Sequence, residues 1–242
     1  MLALKRFLIL MIICTIIPVM VMGQARPGVI GPGGREMTVE ESYLQESIEL
    51  MIIREQSRSD SRDMKFIALE YIGDAISRGL RNPEIHSALE FLALEGVVNV
   101  ARENGRVVNN FPDVRRQAAT YLGKLGTPEA QTTLMIMVNR DNEPLVISEA
   151  VRSLGIIGNN ENNEVTRTIS WTVNRFHGLN PDNFLALSAL DAFERIAIAN
   201  GGLVDRTTVD TIIRIAEGPY ITPVQNRARL LLRDIRSLSL GQ

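Results

Sequence analysis

The sequence predicts an all-α fold, an α-solenoid of stacked helix–turn–helix repeats, and three observations carry that prediction. A short unit recurs in which an Ala stands four residues before a large apolar residue, with another apolar residue three further on. Between copies lie breaks rich in Pro, Asn, Gly or Asp. The composition is 45% hydrophobic but only 5% aromatic. A core of Leu, Ile, Val and Ala suits helix on helix better than sheet on sheet.

The copies are Ala118, Leu122, Leu125; Ala150, Leu154, Ile157; Ala189, Phe193, Ile196; and Ala228, Leu232, Ile235. Ala68, Ile72 and Ala75 form a looser one. The alanines are spaced by 50, 32, 39 and 39 residues, lengths that suit two-helix units. A small residue lets two helix backbones approach while the large residue one turn away fills the groove.

The flanks repeat as well. Pro112, Pro144 and Pro181 stand near the starts of three of these first helices, and Pro223 follows Thr222 at the last. Asn82-Pro83-Glu84, Thr127-Pro128-Glu129 and Asn180-Pro181-Asp182 each combine a capping side chain, Pro and an acid, which suits the orphan N–H groups and positive end of a helix. Thr38 and Glu41 have the spacing of a capping box for the opening helix. Second helices are expected over about 84–103, 129–139, 162–176 and 206–217. Their apolar stripes are Ile85, Ala88, Leu89, Leu92; Ala130, Leu134, Met137, Val138; Val165, Ile169, Val173, Phe176; and Val209, Ile212, Ile213, Ala216. Glycines read as confined to breaks, with Gly201-Gly202 as a helix terminator.

The N-terminal stretch differs. Lys5 and Arg6 precede an uncharged apolar run, Phe7 to Met22, followed by small residues at Gly23 and Ala25. This is the order of a secretory signal peptide over residues 1–25, with cleavage after Gly23 or after Ala25. At sixteen residues the run is short for a membrane span, though a retained N-terminal anchor is the alternative. Cys14, the single cysteine, follows Ile13, which does not suit a lipid-modification site. Cleavage would leave a chain without disulfides. It would also remove two positive charges and take the formal net charge from −2 to −4. Residues 26–37 form a Pro/Gly-rich flexible linker, and 38–242 the repeat domain.

The stretch from Asp113 to Leu134, DVRRQAATYLGKLGTPEAQTTL, resembles the HEAT-like repeat of the phycobilisome-lyase type within the HEAT-repeat family. The matching features are Asp113, Val114, Arg115, the Ala118-Ala119 pair, Leu122-Gly123 and Pro128-Glu129-Ala130. The other units depart from it, with Leu145, Asn183 and Pro223 where Asp begins the pattern. The resemblance covers roughly residues 60–236. It implies a scaffold or adaptor, with a minority role in attaching bilin pigments to cysteines, and second helices that line the concave side.

Chemistry-bearing patterns are not found. His86 and His177 fall on different repeats, and Glu90 four residues after His86 makes only a weak pair. No G-x-S-x-G, G-x-G-x-x-G or P-loop pattern occurs, and no basic block tracks a phosphate backbone. The expectation is no catalytic residue, no metal, no cofactor and no nucleic-acid partner. The candidate protein-binding residues are Arg102, Arg140, Arg175 and Arg214, near the C-terminal ends of the second helices, and Trp171. The arginines either grip an acidic partner or answer the helix dipole. Trp171 is either an anchor or a core residue between repeats. At the end of the array Arg227, Arg229, Arg233 and Arg236 would form a polar cap, or Leu231, Leu238 and Leu240 would meet another subunit. The function expected is an exported, non-catalytic scaffold or adaptor for envelope proteins, periplasmic or secreted. The alternatives are a lyase-like enzyme or enzyme subunit, and a membrane-anchored regulator.

Overall fold

The computed structural model describes residues 38–203 and 205–240. The apolar run, both cleavage sites and the linker lie outside the described residues, as do the side chains of Leu238 and Leu240. The chain divides into a leading unit ending at Glu46 and a body from Ser47 to Gln242. In the leading unit the capping box forms, with Thr38 N–H donating to Glu41 Oε2 at 3.0 Å and Glu41 N–H to Thr38 Oγ1 at 3.2 Å.

The helices are α1 (Val39–Arg58), α2 (Arg62–Ser77), α3 (Pro83–Leu94), α4 (Pro112–Leu125), α5 (Pro128–Arg140), α6 (Pro144–Ile157), α7 (Glu164–Leu179), α8 (Asn183–Asn200), α9 (Arg206–Glu217) and α10 (Thr222–Leu240). A two-stranded ribbon, β1 (Arg102–Glu103) and β2 (Arg106–Val107), interrupts the series after α3. The architecture is an all-α solenoid of HEAT-like repeats. First helices α2, α4, α6, α8 and α10 pack on one another in order, and second helices α3, α5, α7 and α9 do the same.

Local signals explain where the helices begin and end. Asn82 and Thr127 cap α3 and α5, accepting from Glu84 N–H at 2.9 Å and Ala130 N–H at 3.2 Å. Pro112, Pro128 and Pro144 stand first in their helices, where a missing N–H costs nothing. The α8 signal lies two residues later than expected, because Asp182 and not Asn180 caps, accepting from Leu185 N–H at 2.8 Å. Pro181 therefore precedes the helix.

The five repeat alanines, Ala68, Ala118, Ala150, Ala189 and Ala228, are completely buried where first helices meet. The glycines correct the sequence reading. Gly73, Gly123 and Gly155 lie inside α2, α4 and α6, five residues after the repeat alanine, and not in breaks. A Cβ on Gly155 would stand 2.6 Å from Ala192 Cα, and one on Gly123 would stand 2.7 Å from Ser153 Cβ. These positions have no side chain because the next first helix occupies that space. In α8 the equivalent residue is Glu194, and there an ion pair joins the helices: Arg227 of α10 bonds Glu194 and, at 3.1 Å, Asp191.

A buried polar run ties the first two repeats. Lys65 and Arg115, each three residues before a repeat alanine, are 1% exposed. Lys65 Nζ lies 2.8 Å from Glu95 Oε2 and donates to Ser57 O at 3.2 Å. Arg115 makes a two-pronged pair with Asp141, Nε to Oδ2 at 2.7 Å and Nη2 to Oδ1 at 3.2 Å, and also donates to Glu95 O and Asn110 Oδ1. Glu95 and Asp141 are both C-cap residues of second helices, so each lock closes a first helix onto its own partner. Asp141 Oδ1 also accepts from Asn142 and Glu143 N–H. At the mouth of this region Asp113 accepts from Arg62 Nε at 2.8 Å. Partial burial pushes the Asp113 carboxyl up, but the Arg62 hydrogen bond, the Val114 N–H and the Arg62 charge hold it below its ordinary value.

Two predicted helices need correction. The second helix of the first repeat ends at Leu94, not near 103, because Glu95 is extended and Gly96 takes a positive φ of 76°; farther on, Asn104-Gly105 turns the chain into the ribbon. Both turn residues have positive φ (49° and 80°), the two-residue turn that matches the twist of a hairpin. This insertion accounts for the spacing of 50 residues between Ala68 and Ala118. In α9 the buried face is Thr208, Thr211, Ile212, Ile215 and Ala216, whereas Ile213 is exposed. Of the terminal arginines, Arg227 bonds α8 and Arg229 donates to Ala216 O at 3.0 Å, while Arg229, Arg233 and Arg236 are exposed; Leu231 is buried and so is not open to another subunit.

Two stability outcomes follow from this packing. Asp141→Ala strands a buried guanidinium and is expected to cost about 3–5 kcal/mol in urea unfolding, while Arg115→Met with Asp141→Leu restores more than half of the loss. A loss below about 1 kcal/mol for the single variant contradicts the lock. Gly155→Ala and Gly178→Ala are expected to have opposite signs. A Cβ at Gly178 of α7 meets nothing within 4 Å, so the gain in helix propensity, up to about 1 kcal/mol, is realised there. At Gly155 the contact with Ala192 reverses it into a loss of about 1–3 kcal/mol.

Candidate functional site

The second helices share a register that can be read from burial. Leu134, Ile169 and Thr208 are buried at one position of α5, α7 and α9, and Val138, Val173 and Ile212 are buried one turn on. Residues two places beyond that second set point away from the core, since two residues turn a helix by about 200°. Those residues are Arg140, Arg175 and Arg214. The structure therefore brings three of the four predicted arginines onto equivalent outward positions of successive packed helices.

Arg102 does not join them. It lies on β1 and donates to Gly105 O across the hairpin at 3.2 Å. Its spacing of 38 residues from Arg140 mimics a repeat length, but the inserted ribbon breaks that register.

Trp171 does not fill the core: it is 54% exposed. It stands one turn before Arg175 on the same face of α7, and the Arg175 guanidinium lies 5.0 Å from its ring centroid. The half-buried Phe176 ring is 5.1 Å from the same guanidinium. Arg175 is thus held by two aromatic rings and has no carboxylate within ion-pair distance among the described residues. The two ring contacts position the guanidinium and leave N–H groups able to meet an oxygen acceptor. At the position of Trp171, α5 carries Ile136 and α9 carries Asp210.

The neighbouring helix contact is polar. Asn174 Nδ2 donates to Thr211 Oγ1 at 3.0 Å, and Ser170 and Thr208 hydroxyls meet at 3.4 Å, which ties α7 to α9 beneath this face. His177 Nδ1 lies 3.3 Å from Tyr220 Oη, so this histidine braces the end of α7. Burial and the Asp182 charge push the Tyr220 hydroxyl up, partly offset by Arg214. His86 borders a separate cavity of about 300 Å³ with Arg81, Thr127 and Glu129 at the starts of α3 and α5.

Sequence reasoning found Trp171, Arg140, Arg175 and Arg214 but not their common register. The signal was present, since intervals of 35 and 39 residues separate the arginines and also the apolar pairs Val138–Val173 and Val173–Ile212.

Residues 106–166 match the family model for HEAT repeats. That span runs from β2 through α4, α5 and α6 into α7. A comparison with curated proteins finds no match. Solenoids of this class present extended surfaces on which other proteins bind.

The exposed position of Trp171 has a measurable consequence. Trp171→Ala is expected to lower stability by under about 1 kcal/mol, the scale of an exposed cation–π contact. Phe193→Ala, in the core, is expected to cost about 3–5 kcal/mol. Because Trp171 is the single tryptophan, Arg175→Ala is expected to alter its emission without changing the helical circular dichroism.

Proposed function

We propose that the chain is an exported, non-catalytic scaffold that binds other proteins of the cell envelope through the outward face of α5, α7 and α9. The observation that carries this reading is the Trp171–Arg175–Phe176 stack, an exposed aromatic and a fixed cation that no acid of the described chain neutralises. Such an aromatic–arginine pair on a rigid element is what concentrates binding energy at protein interfaces. The HEAT-repeat match supports an interaction role. Lys5-Arg6, the apolar run Phe7–Met22 and the small residues Gly23 and Ala25 support export.

The resemblance of residues 113–134 to the phycobilisome-lyase type supports a second reading, an accessory of pigment attachment. A bound chromophore with visible absorbance on the purified chain is its mark.

The test is crosslinking of the tagged full-length chain in cells, with identification of partners and sequencing of the N-terminus. The expected outcome is a reproducible set of envelope proteins, depleted at least tenfold by Trp171→Ala with Arg175→Glu, as a loss of about 1.4 kcal/mol or more predicts. The mature chain is expected to begin at Gln24 or Arg26. A chain that begins at Met1 replaces export with anchoring, and partners insensitive to the double variant remove this face from the function.

A further inference from the structure

The unpaired cations of this face follow a pattern. On α7, Arg167 faces Asp205 at 3.6 Å, and on α9, Arg206 faces Asp210 at 3.8 Å. Arg175 and Arg214, farther along the same helices, have no ion-pair partner among the described residues, and neither has Arg140 at the end of α5. The arginines left unpaired on these three helices are thus the ones that share a register position, two residues beyond the buried Val138, Val173 and Ile212. Attraction to a helix C-terminus explains a cation in the last turn, but Arg175 stands a full turn before Leu179, the end of α7. The dipole does not require a common register either.

Packed helices lie about 8–10 Å apart. An extended chain of polyproline-II form rises about 3.1 Å per residue with three residues per turn, so every third side chain lies on one face and spans about one such interval. We propose that this face takes an extended acidic segment of a partner protein, crossing α5, α7 and α9 with carboxylates at about every third residue. Each carboxylate meets one of Arg140, Arg175 and Arg214, and the open ring of Trp171 packs against the residues between. The inference rests on the scaffold reading and adds the chemistry of its partner. Charge supports a peptide over a polyphosphate: the whole chain is net negative, so three isolated cations suit a few spaced carboxylates better than a continuous anion.

Trp171 supplies the readout. The full-length chain is titrated with a synthetic peptide of about twelve residues with Glu at every third position and Ser between, a length that spans three rungs with margin. A second peptide of the same composition carries its Glu residues in one block. Inorganic phosphate and anionic phosphatidylglycerol vesicles are run in parallel. The expected result is a change in Trp171 emission, binding at least tenfold tighter to the spaced peptide than to the blocked one, and weakening as salt rises. Arg140→Gln and Arg214→Gln each weaken binding several-fold, and Arg175→Glu abolishes it, with circular dichroism unchanged. Equal affinity for the two peptides overturns the proposal. So does undiminished binding by the triple Gln variant, or binding of vesicles or phosphate in place of peptide. If partners captured in cells depend on Trp171 but not on Arg140 and Arg214, the ladder falls and the scaffold reading stands. If capture is insensitive to all of them, both fall.

Discussion

The body depends on how closely α4, α6 and α8 approach one another. A two-helix unit of this size cannot bury its apolar face alone, so each repeat is stable only against its neighbour. Gly123 and Gly155 set that contact by leaving space that Ser153 and Ala192 fill. The buried alanines before them, Ala118 and Ala150, keep the surface flat enough for backbone contact along the helix. Large residues one turn away, Leu122 and Leu154, then sit in the grooves on either side.

The means of closure changes along the array. In the first two repeats a buried cation, Lys65 or Arg115, meets the C-cap carboxylate of its own second helix, Glu95 or Asp141. In the next two the matching positions are Ile147 and Ala186, both buried, and the C-cap residues of the second helices are the uncharged Asn180 and Gly218. Apolar packing takes over there. A buried ion pair adds little net stability over an apolar pair but is costly to break. The first two repeats are therefore held in one specific register, and Arg115, which also bonds Glu95 O, carries that register from one repeat to the next.

This division of labour leaves the outward positions of the second helices without a structural duty. Arg140, Arg175 and Arg214 make no ion pair within the described fold, and Trp171 costs little to leave half in water beside a cation. Because the helices beneath are fixed by packing and by Asn174–Thr211, their backbones have little conformational freedom left to lose on binding.

The sequence by itself determined the fold class, the repeat and most helix starts. Those depend on local chemistry: Asn82 and Thr127 cap whatever their surroundings, Pro112 and Pro144 open helices by their fixed φ, and 3.6-residue periodicity marks the buried face. Asn104-Gly105 is a local hairpin signal of the same class, but the helical pattern before it predicted a longer helix and hid it. Only the tertiary structure decided which residues of a pattern do which work. Gly73, Gly123 and Gly155 look like breaks until a neighbouring helix occupies the space above them, and Trp171 looks like core until the repeat beside it is seen to leave it uncovered. Arg102 and Arg140 are a repeat length apart in sequence yet unrelated in space, because an inserted ribbon shifts register without disturbing composition. Sequence spacing records distance along the chain, whereas contact and exposure depend on which elements come to lie side by side.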